Sequence, residues 1–135
     1  MSEEKGLMDF IKAALSEIKE ITPDDLTAMQ TANADLLLID VREPGEFTEG
    51  HLSGAKLIPR GILEAAADRN YPKRVQELVD ARDRPVALYC ATGGRSALAA
   101  NTLRLMGFSN VTSLQGGYTR WNEEGRDVEK EARYV

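Results

Sequence analysis

Pro85-Val86-Ala87-Leu88-Tyr89-Cys90-Ala91-Thr92-Gly93-Gly94-Arg95-Ser96 is the stretch on which the fold turns. Its first five residues are apolar without alternation, as in a parallel strand covered on both faces. A loop of small residues follows Cys90. From Gly94 to Met106 the chain is apolar nearly all round a helical projection, and Gly107 suits the position just past a helix end. The order is therefore strand, cysteine, glycine loop, helix. Two adjacent glycines allow backbone conformations with positive φ, so that successive N–H groups can converge on one concavity. The N-terminus of the helix adds roughly half a positive charge, and Arg95 adds a full one, in a direction the sequence does not fix. Such a cradle favours a thiolate over a thiol and gives Cys90 a nucleophile's character without a neighbouring base.

Outward from this stretch, the same alternation recurs. Leu36 to Val41 reads as a second buried strand, a short strand is expected near Ala55 to Ile58, and another lies within Phe108 to Leu114. Between them, Thr22-Pro23-Asp24-Asp25 is a helix start reaching to about Gln30, with Thr as cap, Pro at the first position and acids in the first turn. Glu43 to Phe47 opens a helical turn. Residues 61 to 68 and 72 to 82 have helical character, and Gly116-Gly117 turns into a last helix containing Trp121. Strands alternating with helices predict an α/β domain with a mainly parallel central sheet flanked by helices on both faces. Ligands of such sheets sit at the carboxyl ends of the strands, where Cys90 falls. Residues 3 to 20 project Leu7, Ile11, Ala14 and Ile18 onto one face of an amphipathic helix. The chain divides accordingly into a helical extension, residues 1–20, and a domain, residues 21–135. The extension either packs on the domain surface or serves as a dimerisation or partner-docking helix.

Composition limits the alternatives. A chain of 135 residues with 42% hydrophobic content suits one domain with a real core. A net charge of -5 argues against general affinity for nucleic acid or anionic membranes. With one cysteine and one histidine, no internal disulfide and no familiar zinc spacing can be written. The N-terminus has acids at Glu3 and Glu4 and a lysine at Lys12, unlike a signal peptide or a membrane span. A cytoplasmic protein with a reduced thiol is expected.

Three motifs together resemble the rhodanese homology domain: Leu38-Ile39-Asp40-Val41-Arg42-Glu43-Pro44-Gly45-Glu46-Phe47 with Gly50-His51-Leu52-Ser53-Gly54-Ala55, then Leu88-Tyr89-Cys90 through Arg95-Ser96, then Leu114-Gln115-Gly116-Gly117-Tyr118 with Trp121. The resemblance spans about residues 22 to 125. It implies a sulfurtransferase in which Cys90 accepts sulfane sulfur as a persulfide from a thiosulfate-like anion and passes it to cyanide, a thiol or a protein acceptor. No metal or organic cofactor is called for. By the same resemblance, Ala91, Thr92, Gly93, Gly94 and Arg95 hold the sulfur through backbone N–H groups, and Ser96 adds a hydroxyl.

Asp40 and Arg42 are expected to be structural, the first capping the turn that follows it and the second bracing loops. His51 could form a Cys–His pair, but it matches a Gly-His-x-x-Gly-Ala turn that is structural in the family. Arg60 is read either as a binder of the anionic donor or as a solvated surface arginine. Trp121 is assigned to the core, and the acids from Glu123 to Glu131 to a solvated face or fraying tail. The nearest rival function is that of the phosphatases and arsenate reductases of related fold. Their loops have five residues between Cys and Arg, whereas four separate Cys90 from Arg95, and a smaller ring suits sulfur better than phosphate. A non-catalytic binding module is the other rival; many rhodanese-like domains of that kind lack the cysteine that is present here.

Overall fold

The computed structural model describes residues 3–130. Five parallel strands form the central sheet in the order β1-β6-β5-β2-β4. They are β1 (Lys19–Ile21), β2 (Leu37–Asp40), β4 (Lys56–Leu57), β5 (Val86–Tyr89) and β6 (Val111–Leu114). The two apolar runs read as buried strands are the central neighbours β2 and β5, paired Leu37↔Val86 through Asp40↔Tyr89. Alternation along β5 divides the core. Val86, Leu88 and Cys90 join one cluster beneath α4 (Leu63–Ala67), α5 (Gln76–Val79) and α6 (Gly94–Leu105), where Leu63, Leu78 and Leu103 are fully buried. Ala87 and Tyr89 point the other way, against Leu26 of α2 (Pro23–Ala32) and Trp121 of α7 (Gly117–Glu123). The protein is thus an α/β domain with helices on both faces of a parallel sheet.

Several elements differ in extent from their sequence patterns. The helix expected over residues 3 to 20 is α1, Leu7–Leu15. After it the chain straightens into β1, whose Lys19, Glu20 and Ile21 pair in parallel with Thr112, Ser113 and Leu114. The open edge of β6 offers backbone partners that outweigh helical periodicity there. Residues 72 to 82 keep one helical turn, Gln76–Val79, because Val75 is extended and its N–H donates to the Ala66 carbonyl. A two-stranded antiparallel ribbon, β3 (His51–Leu52) with β7 (Val128–Glu129), has no counterpart in the expectations. It ties down part of the segment read as a fraying tail, with Glu123, Glu124 and Glu129 exposed; Glu131 lies outside the described residues. The remaining short elements are α3 (Pro44–Glu49) and a 3-10 turn, Arg60–Ile62.

Helix α1 packs on α6. Ile11 and Ala14 are buried, and a Cβ placed on Gly94 would lie 2.9 Å from Ile11 Cδ1, so the two helices meet directly at the start of α6. Leu7, Met8 and Phe10 stay exposed, Leu7 although it falls on the same helical face as Ile11 and Ala14. No helix among the described residues is long and apolar enough to cross a membrane.

Candidate active site

Cys90 directly follows β5, at the carboxyl end of the sheet, and is almost wholly buried. The Gly93 N–H donates to its sulfur at 3.1 Å, and the Ser96 hydroxyl lies 3.5 Å from it. Gly93 is the cap of α6 and has φ +114°, a left-handed value that the glycine pair had suggested and that a side chain would resist. Ser96 is buried among three partners: the sulfur, the Gly93 carbonyl at 3.2 Å, and Ser113 Oγ at 2.8 Å. When Ser113 donates to Ser96, the Ser96 proton is left for the sulfur or the carbonyl.

The loop's shape is fixed from outside it. The Tyr118 N–H donates to the Cys90 carbonyl at 2.8 Å, and the Thr119 N–H to the Ala91 carbonyl at 3.0 Å. Both donors are first-turn amides of α7, which have no partner within their own helix. A trans peptide points its C=O and the next N–H in opposite directions. With the carbonyls of Cys90 and Ala91 held by α7, the N–H groups of Ala91 and Thr92 face away from α7. This approach requires Gly117, since a Cβ there would run into the Cys90 carbonyl and come within 2.7 Å of the Ala91 carbonyl carbon and oxygen.

Arg95 does not extend freely over the loop. Its guanidinium forms a two-pronged pair with Glu46 of α3, at 2.9 and 3.0 Å. The Arg95 hydrogen bond, ahead of every other influence, depresses the Glu46 pKa to about 2, and the same contact raises that of Arg95. The Arg60 guanidinium is likewise engaged, with Glu64 at 2.9 Å and Thr102 Oγ1 at 3.1 Å.

The other residues singled out in the sequence are engaged with partners of their own. Asp40 is fully buried and accepts from the Arg42 N–H at 2.8 Å, which makes it the cap of its turn, while Arg42 Nη2 lies 2.8 Å from Asp40 Oδ2 and 2.6 Å from the Gly50 carbonyl. Burial opposes the Arg42 charge, but the hydrogen bonds and charge of Asp40 outweigh it and raise the Arg42 pKa. Arg42 also stacks over the Tyr118 ring at 4.4 Å, linking the loop after β2 to α7. His51 Nδ1 lies 2.9 Å from the Phe47 carbonyl, and its ring stacks on Phe47 at 3.7 Å; its Nε2 is 3.6 Å from Glu129. The Phe47 carbonyl is thus the hydrogen-bond partner of Nδ1, and Glu129 lies near Nε2 beyond hydrogen-bond distance. Trp121 is buried and donates to the Asp127 carbonyl.

Glu46, Ser113 and the α7 amides were not picked out by sequence reasoning. Glu46 carried one signal, its place three residues after Glu43 at the start of a helix, and its side chain accepts from the Glu43 N–H. Nothing in the sequence connects it with Arg95.

Residues 22–124 match the model of the rhodanese-like domain family. The chain is 31% identical over 111 residues to a sulfurtransferase of Allochromatium vinosum, covering 82% of this chain and 94% of that one. It is 34% identical over 110 residues to the thiosulfate sulfurtransferase GlpE of Stutzerimonas stutzeri, covering 79% and 87%. The chain spans only 24% of the length of the probable adenylyltransferase/sulfurtransferase MoeZ of Mycobacterium tuberculosis, with 38% identity over 104 residues. Among solved structures, a Rhodopseudomonas palustris protein of unknown function, a "possible tyrosine phosphatase", superposes with a TM-score of 0.86 at 31% identity, covering 96% and 98% of the two chains. The homodimeric polysulfide-sulfur transferase of Wolinella succinogenes superposes with a TM-score of 0.73, also at 31% identity, covering 92% and 87%. Sheet order, cysteine loop and family match agree, and the chain belongs to the rhodanese-like domain family.

Proposed function

We propose that the protein is a sulfurtransferase that carries sulfane sulfur as a persulfide on Cys90, taking it from a thiosulfate-like anion or a persulfide donor and delivering it to cyanide, a thiol or a protein acceptor. The observation that carries this reading is the seat of the sulfur. Cys90 Sγ already accepts from Gly93, and the carbonyls of its loop are drawn back by α7, leaving N–H groups for a second sulfur.

In the first step the Cys90 thiolate attacks the outer sulfur of thiosulfate. The new S–S bond forms as the S–S bond of thiosulfate breaks, and sulfite departs with the electron pair. The persulfide anion rests against the backbone N–H groups of Ala91 to Arg95, the start of α6 and the Ser96 hydroxyl. In the second step an acceptor nucleophile attacks the outer sulfur and the Cys90 thiolate leaves. The cycle is a double displacement, with ping-pong kinetics. Asp40, Arg42 and His51 support the loop and take no part in bond making. Arg60 is left out of the transfer step, since Glu64 and Thr102 hold its guanidinium. The thiol this chemistry needs suits a reducing compartment such as the cytoplasm.

Intact mass spectrometry after incubation with thiosulfate tests the reading. The expected result is a gain of one sulfur atom, removed by cyanide and absent in Cys90→Ser. Hydrolysis of an aryl phosphate at a comparable or faster rate, without a persulfide, would favour the phosphatase reading instead. That second reading draws on the resemblance to the Rhodopseudomonas protein. Against it stand the four-residue gap from Cys90 to Arg95 and the capture of Arg95 by Glu46.

A further inference from the structure

A groove of about 250 Å³ runs between α1 and the loop that holds Cys90. Met8, Ile11 and Leu15 of α1 give it an apolar wall, and Thr92, Gly93 and Gly94 form the facing side. Glu20 is the one charged side chain among the described residues that line it. The two helices are clamped where Ile11 sits against Gly94, so the wall is fixed relative to the loop. Met8 is 58% exposed and takes no part in that clamp, so its side chain is available to a ligand. The groove borders Gly93, whose N–H holds the Cys90 sulfur.

We infer that this groove selects the sulfur acceptor: a small thiol whose body is aliphatic and uncharged or cationic. The inference rests on the sulfurtransferase reading and adds the acceptor's chemical class to it. The apolar wall rewards methylene groups, and Glu20 favours a positive terminus and repels a carboxylate. In the transfer, the acceptor thiolate attacks the outer sulfur of the Cys90 persulfide. A new S–S bond forms on the acceptor, the S–S bond to Cys90 breaks, and Cys90 leaves as thiolate. The acceptor departs as its own persulfide, and no external oxidant or reductant enters. The N-terminal helix thereby becomes a specificity element of the active site.

The test uses the full chain loaded with thiosulfate and discharged by cyanide or by thiols of graded length and charge: 2-mercaptoethanol, longer hydroxyalkyl thiols, 2-aminoethanethiol and 3-mercaptopropionate. Rates are compared between the wild type, Met8→Ser and Glu20→Gln, so that each thiol's intrinsic nucleophilicity cancels. In the wild type, kcat/KM is expected to rise about threefold for each added methylene. Met8→Ser should flatten that slope and leave cyanide discharge unchanged. The aminothiol should be preferred over the carboxythiol, with the ratio falling about fivefold in Glu20→Gln. Normal loading and cyanide discharge, together with length and charge profiles that neither substitution alters, would overturn the groove's role and leave the sulfurtransferase reading intact. A wild type that gains no sulfur on loading would overturn both.

Discussion

The pairing of Asp40 with Arg42 allows a quantitative test of how strongly the two are coupled. In Arg42→Met the guanidinium is lost and the apolar length is largely kept. Asp40, fully buried, then loses both its contacts with Arg42 Nε and its 2.8 Å contact with Nη2, and is left with the N–H of residue 42 and the neighbouring Tyr89 hydroxyl. The Gly50 carbonyl loses its 2.6 Å donor, and the Tyr118 ring loses the cation stacked on it. Removing one partner of a buried pair strands the other charge, at a cost of about 3–5 kcal/mol. Since the pair is 5% and 0% exposed, solvent screening does not reduce that figure much. For a chain of this size it corresponds to a Tm lowered by about 10–20 °C. Urea unfolding followed through the fluorescence of Trp121, the one tryptophan of the chain, reads the change directly. The midpoint should fall with the slope unchanged, as for a loss of stability without loss of compactness. The double variant Asp40→Asn with Arg42→Met should lose less than the two single variants summed. A loss below about 1 kcal/mol in Arg42→Met, or simple additivity in the cycle, would refute the assignment of a strongly coupled buried pair.

The remaining predictions concern the loop itself. Gly117→Ala puts a methyl group into the Cys90 and Ala91 carbonyls at a φ of +56°; displacement of the loop should slow sulfur transfer about 100-fold, seen as delayed persulfide formation by intact mass. Ser96→Ala removes the hydroxyl 3.5 Å from the sulfur and should slow loading about tenfold, whereas an unchanged rate would exclude the hydroxyl from holding the sulfur. Glu46 has a pKa held near 2, below the ordinary 4.5, by its Arg95 hydrogen bond. In that interval the unfolded chain binds the extra proton, so the pair's stabilisation is complete above about pH 4.5 and disappears as the pH falls toward 2. Because both partners are more than a third exposed, the contribution is about 0.5–1 kcal/mol; the gap in urea midpoint between wild type and Glu46→Gln should therefore shrink between pH 5 and pH 3.

What could be read in the sequence follows from what each part of the fold depends on. Leu37 to Val41 and Val86 to Tyr89 are buried on both faces, so their apolar runs announce central strands. The paired glycines announce a backbone outside the usual regions, and Gly93 adopts it. The edge strand β1 was concealed because only Ile21 of its three residues is buried, too little for a pattern to show. The engagement of Arg95 was concealed for another reason: its partner lies 49 residues away and is brought to it by the packing of α3. Ser113 reads as one polar residue in a strand until α6 places Ser96 against it.

The amides of α7 on the Cys90 and Ala91 carbonyls have a consequence for protein engineering. The conformation of the loop is written largely outside its own seven residues. Transplanting Cys90 to Ser96 into another strand–helix junction would therefore carry over the cysteine but not its surroundings, because nothing there would turn the carbonyls back. A successful graft would need a second helix start, led by a residue without a side chain and aimed at the same two carbonyls. The smallest portable unit is accordingly two helix beginnings facing each other across one strand end.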